Sequence, residues 1–164
     1  MCRRMLRYHT DIMFELTKVS EDFIEFLFKL YKKQPDSIFF KQEDTIAKNS
    51  RLTSNLINSI SDEYKKEIVQ NNFKIEDIHH LHLLHYHKKD SELNFHNHIP
   101  HEKYSYIIYM DNIGGTLLQI PEGEIFIKSE RCKLLIFDSK LEHRGITNEE
   151  ERFVAAGGII KVYV

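Results

Sequence analysis

The second half of the sequence is a series of short segments rich in β-branched and aromatic residues, separated by turn residues. The clearest turns are the Gly114-Gly115 pair and residues 121–123. No helical pattern interrupts the series, so the strands are expected to pair in an antiparallel sheet. Roughly seven or eight short strands at close spacing predict a sandwich or a jelly roll. The segments are 81–87, 104–110, 116–120, 124–128, 132–138 and 152–164.

The first half of the sequence has the apolar spacing of helices, and we expect residues 1–77 to be mostly helical. Ser20 is a suitable N-cap because acidic residues follow it in the first turn. Pro35 ends this helix. A second helix is expected over 53–69. Its inward-facing residues are Leu56, Ile57, Ile60, Tyr64 and Ile68.

These patterns predict one mainly β domain over residues 1–164. A jelly-roll barrel (a double-stranded β-helix, as in cupins) is expected over 78–164, with the N-terminal helices packed on one outer face. A chain of 164 residues is long enough to bury a core of this kind.

Composition excludes several classes of protein. A formal net charge of −2 argues against a surface built to grip nucleic acid. Cys2 and Cys132 are too few for a thiolate metal cage or a disulfide framework. The sequence has no secretory signal pattern and no apolar run of the roughly 20 residues that cross a bilayer. A cytoplasmic protein without membrane association is therefore expected.

The placement of histidine is the most informative chemical feature. Eight of the ten histidines lie between His79 and His101. On a strand, His96 and His98 project from the same face and form a bidentate clamp, and His143 follows one of the predicted strands. Three imidazoles on one side of a metal leave positions open for substrate and dioxygen, and they suit iron, copper, nickel or zinc. The alternative is a surface pair or a hydrogen-bonded core pair.

The other histidines are interpreted differently. Strand alternation divides the remaining histidines between the two faces of their strand. They are therefore expected to be packing or solvent-facing residues and not to form one site. His101 is a weaker candidate near the metal. The members of this group are His79, His80, His82, His85 and His87.

In the order and spacing of these segments, the sequence resembles the iron(II)/2-oxoglutarate-dependent oxygenases, specifically their prolyl-4-hydroxylase-like branch. Residues 81–87 and 95–98 are similar to the strand pair that leads into the family's His-x-Asp motif. Residues 135–143 are similar to the segment that presents the distal histidine. Arg152 lies nine residues past His143, where the family places a basic residue.

The resemblance implies an enzyme that hydroxylates an organic substrate with iron(II), 2-oxoglutarate and dioxygen. His96, His98 and His143 would hold the iron, and Arg152 would bind the far carboxylate of 2-oxoglutarate. Tyr86 or Tyr106 would hydrogen-bond the same carboxylate. The other interpretation of Arg152 is a surface arginine paired with the acidic residues before it. We expect a small molecule or a protein side chain as the substrate rather than nucleic acid.

The sequence departs from the family at one position, since His98 occupies the place of the aspartate. Glu102 is then an alternative carboxylate ligand. The set of His96, His98, Glu102 and His143 also matches the metal motif of cupins, which implies a metalloenzyme that does not use 2-oxoglutarate. A catalytically inactive jelly roll that binds a small acid or a protein is the third alternative.

Overall fold

Strands dominate the computed structural model, which describes residues 4–8, 11–40, 51–86, 95–148 and 150–162. Cys2, His87 and the end of the last predicted strand lie outside the described residues. The helices and strands are β1 (Arg4–Tyr8), β2 (Asp11–Lys18), α1 (Glu21–Lys33), β3 (Phe39–Phe40), β4 (Arg51–Thr53), α2 (Asp62–Val69), β5 (Ile78–Tyr86), β6 (Glu102–Tyr109), β7 (Gly115–Ile120), β8 (Gly123–Lys128), β9 (Lys133–Asp138), β10 (His143–Ile146) and β11 (Arg152–Lys161).

The described strands form two antiparallel sheets. The major sheet has the order β1-β2-β9-β6-β11-β5-β4-β3, and the minor sheet has the order β10-β7-β8. Every pair of neighbouring strands is antiparallel. The predicted jelly roll with antiparallel strands is therefore confirmed.

Alternation along the major sheet creates two separate cores. On β6, Tyr106 and Ile108 face the helices, whereas Ile107 and Tyr109 face the minor sheet. The helix-side core contains α1 residues together with Leu81 and Leu83 of β5. The second core lies between the two sheets, and it surrounds the cavity described below.

Helix α1 forms as its sequence predicts. The Ser20 hydroxyl accepts a hydrogen bond from the Phe23 amide at 3.2 Å, and the helix ends at Gln34, just before Pro35. Phe23 and Leu27 are buried against the major sheet. The predicted packing of helices on one face of the barrel is confirmed. No described helix combines the length and apolarity that crossing a membrane requires.

The expectation that residues 1–77 are mostly helical is wrong at the N-terminus. β2 is an eight-residue strand that pairs with β9, with Phe14 opposite Phe137. Phe14 packs between the sheets while Ile12 and Val19 pack under the helices. A strand buried on both faces carries no clean alternation, so its partner more than 100 residues away decides its structure.

The second predicted helix begins at Asp62 rather than at residue 53. The preceding residues are tied to β5 by side-chain hydrogen bonds. The Thr53 hydroxyl accepts from the Leu83 amide, and the Asn55 side chain accepts from the Leu81 amide, both at 2.9 Å. These bonds tie Thr53 and Asn55 to β5, and a 3-10 turn over Ile57–Ser59 follows before Ser61 caps α2 by accepting from the Tyr64 amide.

Candidate metal centre

The backbone brings His96 and His143 side by side. The His96 amide donates to the His143 carbonyl at 3.0 Å, and the His143 amide donates to the His96 carbonyl at 2.9 Å. The His98 amide donates to the Ser139 carbonyl at 3.0 Å. His96 therefore forms an isolated bridge with His143 at the start of β10 rather than part of a regular strand. His98 lies outside the bridge and is held by the Ser139 carbonyl, on the turn before β10.

The three imidazoles converge as the sequence predicts. One nitrogen from each of His96, His98 and His143 lies within 4.8 Å of the other two. The Nε2 atoms of His98 and His143 are 3.3 Å apart. We call this group the histidine triad.

His143 is held in the tautomer that a metal requires. Its Nδ1 lies 3.2 Å from the Leu141 carbonyl, which only accepts hydrogen bonds, so Nδ1 carries the proton. The lone pair of Nε2 then points toward the triad. Burial, followed by the nearby rings of His96 and His98, lowers the pKa of His143 well below its usual value. The neutral imidazole is the form that binds a metal.

The guanidinium of Arg152 lies in the same cavity as the triad. The cavity has a volume of about 310 Å³. Arg152 is 1% exposed, yet no carboxylate among the described residues pairs with it and its Nε has no hydrogen-bond partner there. A buried cation without a counter-ion is costly, so the cavity is electrostatically suited to an anionic ligand. This burial contradicts the interpretation of Arg152 as a surface residue.

Tyr86 lies against Arg152 and Tyr106 does not. The guanidinium carbon is 5.0 Å from the centre of the Tyr86 ring. Tyr106 packs in the helix-side core, and its hydroxyl donates to the His80 carbonyl at 2.9 Å. Sequence reasoning missed Tyr109, whose ring centre is 5.8 Å from the guanidinium. Tyr109 pairs with Val154, two residues from Arg152, and this register, which the sequence alone does not reveal, brings its ring close to the guanidinium.

Glycine at position 145 makes room for this arrangement. A Cβ atom there would lie 2.7 Å from an Arg152 terminal nitrogen and 2.8 Å from the Tyr86 hydroxyl. Only glycine lets both groups approach the β10 backbone so closely. β10 therefore places a potential metal ligand at its first residue, and two residues later it leaves space for the side chains of Arg152 and Tyr86.

Glu102 is a buried carboxylate behind the triad. It is 2% exposed, its Oε2 accepts from the Ser105 hydroxyl at 2.7 Å, and its Oε1 is 2.8 Å from His80 Nε2. The same oxygen is 3.9 Å from Nδ1 of His98, the nitrogen on the far side of that ring from His143. Glu102 does not belong to the group that His96, His98 and His143 form. The four-ligand cupin arrangement is therefore not what the geometry brings together.

The expectation that strand alternation separates the β5 histidines is wrong for two of them. His79 and His80 lie together with Glu102 in a second cluster of potential ligands. His82 and His85 do act as packing residues: His82 is hydrogen-bonded to the Thr53 carbonyl, and His85 stacks on Phe153.

Comparison with solved structures identifies the architecture. A prolyl-4-hydroxylase from Pseudomonas putida is 14% identical over 92% of this chain and 93% of that chain, with a TM-score of 0.66. A prolyl hydroxylase from Trichoplax adhaerens, in complex with a hypoxia inducible factor oxygen degradation domain peptide fragment, is 12% identical over 87% and 81%, again with a TM-score of 0.66. The fold is the jelly roll of the prolyl hydroxylases.

The prolyl hydroxylase fold also occurs in an enzyme of another activity. SnoN, a non-heme α-ketoglutarate-dependent epimerase from nogalamycin biosynthesis, is 8% identical over 87% of this chain and 76% of that chain, at a TM-score of 0.66. No protein-family model and no curated protein sequence matches this chain. At these identities the likeness is one of fold, so the function must be argued from the site.

Proposed function

We propose that this protein is an iron(II)- and 2-oxoglutarate-dependent oxygenase that hydroxylates a small molecule or a protein side chain. The observation that carries the proposal is one cavity with two different binding elements. Three imidazole nitrogens converge on one part of it, and it is also lined by a buried arginine that pairs with no carboxylate in the described part of the chain. The three structural neighbours, two prolyl hydroxylases and an α-ketoglutarate-dependent epimerase, add support at the level of fold.

His96, His98 and His143 would hold the iron. When bound, iron(II) supplies the activation of dioxygen, coupled to oxidative decarboxylation of 2-oxoglutarate to succinate and carbon dioxide. Three protein ligands leave room on the metal for the cosubstrate and dioxygen. The hydrogen bond from His143 to Leu141 fixes the ring so that Nε2 is directed at the metal position.

Arg152 would bind the 5-carboxylate of 2-oxoglutarate. Its planar fork of donors matches a carboxylate, and Tyr86 lies beside it to add a phenolic hydroxyl. Apolar residues such as Leu84 and Val154 line the cavity and exclude water from the cosubstrate. We do not propose Tyr106 as a carboxylate ligand, because its hydroxyl is committed to the His80 carbonyl.

A ligand set of three neutral imidazoles leaves the full charge of the ion uncompensated by its direct ligands. The dianion of 2-oxoglutarate would balance that charge when it chelates the metal. The Glu102 carboxylate, 3.9 Å from His98 Nδ1, adds a negative charge behind the His98 ring, without being a direct ligand of the metal. The buried position of Glu102 strengthens this interaction relative to one in water.

Anaerobic titration with iron(II) and 2-oxoglutarate tests the proposal. We expect a weak visible charge-transfer band and, on admission of air, release of succinate. Arg152→Gln should raise the 2-oxoglutarate concentration needed by about 10- to 100-fold, because it removes a charged hydrogen-bonding partner. Its iron affinity should be unchanged.

Arg131→Gln is the matched control, since Arg131 lies outside the cavity and pairs with Glu21. It should titrate like the natural protein. A protein that binds iron but gives neither the band nor succinate would rule out the proposed reaction.

A further inference from the structure

An irregularity in β5 turns two consecutive histidines toward one side of the major sheet. Opposite β11, His80 pairs with Gly158 and Ile78 pairs with Ile159, so His79 has no partner and the register shifts. Ile78 and Leu81 both pack in the helix-side core although they are three residues apart. The bulge therefore leaves His79 and His80, the two residues between Ile78 and Leu81, on the same side of the sheet.

Glu102 of β6, on the other side of β11 from β5, completes a cluster with these two histidines. One potential ligand atom from each of His79, His80 and Glu102 lies within 4.8 Å of the others. A Cβ atom at position 158 would come within 2.6 Å of both Glu102 and His80. Gly158 thus opens the space over β11 in which the cluster sits.

Two nitrogens of this cluster have no hydrogen-bond partner. His79 Nε2 and His80 Nδ1 are both buried from solvent and are unpaired among the described residues. Buried polar atoms of side chains are nearly always hydrogen-bonded, so two orphans on adjacent rings call for a ligand. A cation that accepts an imidazole lone pair would satisfy His79 Nε2, and His80 would reach the same cation as Glu102 through Nε2, the nitrogen that faces this carboxylate.

We propose that His79, His80 and Glu102 form a second metal site, separate from the histidine triad, for a divalent first-row cation such as zinc. Two neutral imidazoles and one carboxylate are a donor set that zinc uses in proteins, with water in the fourth position. The single buried carboxylate offsets part of the charge of the ion. Calcium and magnesium are disfavoured, because they require mainly oxygen ligands.

The second site and the triad share one carboxylate. Glu102 Oε1 is 2.8 Å from His80 Nε2 and 3.9 Å from His98 Nδ1. A cation in the second site would be separated from the triad only by the His98 ring and this carboxylate. The proposal does not depend on 2-oxoglutarate binding, so either proposal can fail without the other.

Counting bound cobalt(II) tests the second site. The protein is stripped with a chelator and dialysed against cobalt(II), and both the cobalt content per chain and the visible absorption are measured. We expect two tightly bound ions per chain in the natural protein. His79→Gln and His143→Ala should each leave one ion, with different visible spectra, because each variant removes a different site.

His82→Gln is the matched control, because His82 lies on the same strand but is hydrogen-bonded to the Thr53 carbonyl. It should keep both ions, with a far-ultraviolet circular dichroism spectrum like that of the natural protein. If His143→Ala binds no cobalt, or if His79→Gln binds as much as the natural protein, the second site is overturned. The His143→Ala result decides the matter even if His79→Gln does not fold.

Discussion

At the scale of single residues, the site depends on one strong positive charge that no carboxylate among the described residues pairs with. Arg152 is almost fully buried between the rings of Tyr86 and Tyr109. Ring faces attract a guanidinium but do not neutralise it. Burial raises the pKa of Asp111, although backbone hydrogen bonds from Ile113 and Phe153 and the charge of Arg152 act in the other direction, and Asp111 forms no ion pair with Arg152. The positive charge thus stays available to an anion inside the cavity.

Gly145→Ala should weaken 2-oxoglutarate binding by about tenfold or more without loss of iron. The added Cβ would displace Arg152 or Tyr86, since both approach within 3 Å of its position, and a displaced guanidinium loses charged hydrogen bonds. Isothermal titration in the presence of iron(II) measures the change. Equal affinity for 2-oxoglutarate in the two proteins would show that this close approach does not matter.

Some of these residues could be predicted from sequence and others could not. The triad was predictable because histidines at 96, 98 and 143 are spaced as ligands in a jelly roll. The role of Tyr109 and the exclusion of Tyr106 depend on which face of β6 points inward, and two tyrosines three residues apart do not decide this. Glu102 reaches its position behind His98 through the turn that follows residue 98. The local sequence does not predict the direction in which the chain leaves this turn.

At the scale of elements, long-range pairing overrode local pattern. β2 pairs with β9, and β4 pairs with β5, within the N-terminal part that was expected to be mostly helical. β10 was missed because its four residues, His143–Ile146, include a glycine and two charged or polar side chains. The bulge in β5 was also invisible, because an irregular register depends on the partner strand. By contrast, α1 was predicted well because its N-cap residue, its apolar spacing and the proline that follows it all indicate the same helix.

The cap of α1 also holds the two helices together, and this gives a prediction for stability. The Ser20 hydroxyl accepts from the Phe23 amide and donates to Glu67 of α2 at 3.0 Å. Ser20→Ala should lower the free energy of unfolding by about 1–2 kcal/mol, because it removes both bonds. Urea denaturation monitored by circular dichroism measures the loss.

Ser61→Ala serves as the matched comparison. Ser61 caps α2 through the Tyr64 amide at 3.3 Å, and its hydroxyl makes no hydrogen bond to the described residues of α1. Ser61→Ala should lower the free energy of unfolding by about 1 kcal/mol or less. A larger loss for Ser61→Ala than for Ser20→Ala would contradict a connecting role for Ser20.

At the scale of the whole molecule, buried histidines make the metal-free protein sensitive to acid. Burial is the main cause that lowers the pKa values of His79, His82 and His143 from 6.5. As pH falls through about 6.5, these residues take up protons in the unfolded chain before they do so in the folded one. Stability therefore falls with pH in this window.

We expect the free energy of unfolding of the chelator-treated protein to decrease between about pH 7 and about pH 5.5. His143 should contribute a slope that approaches about 1.4 kcal/mol per pH unit below its unfolded pKa. Urea titrations at several pH values measure the slope. His143→Ala should have a shallower profile, and an unchanged slope would mean that His143 is not held neutral by the fold.

The position of β11 has a consequence for how the protein is made. β11 lies between β5 and β6 in the major sheet, yet it is the last of the described strands along the chain. On the ribosome, β5 and β6 therefore emerge first as parts of two half-sheets with open edges, which are prone to pair with other chains. Arg152, at the start of β11, arrives with the strand that joins the halves, so the cavity that it lines is complete only after this strand has been translated.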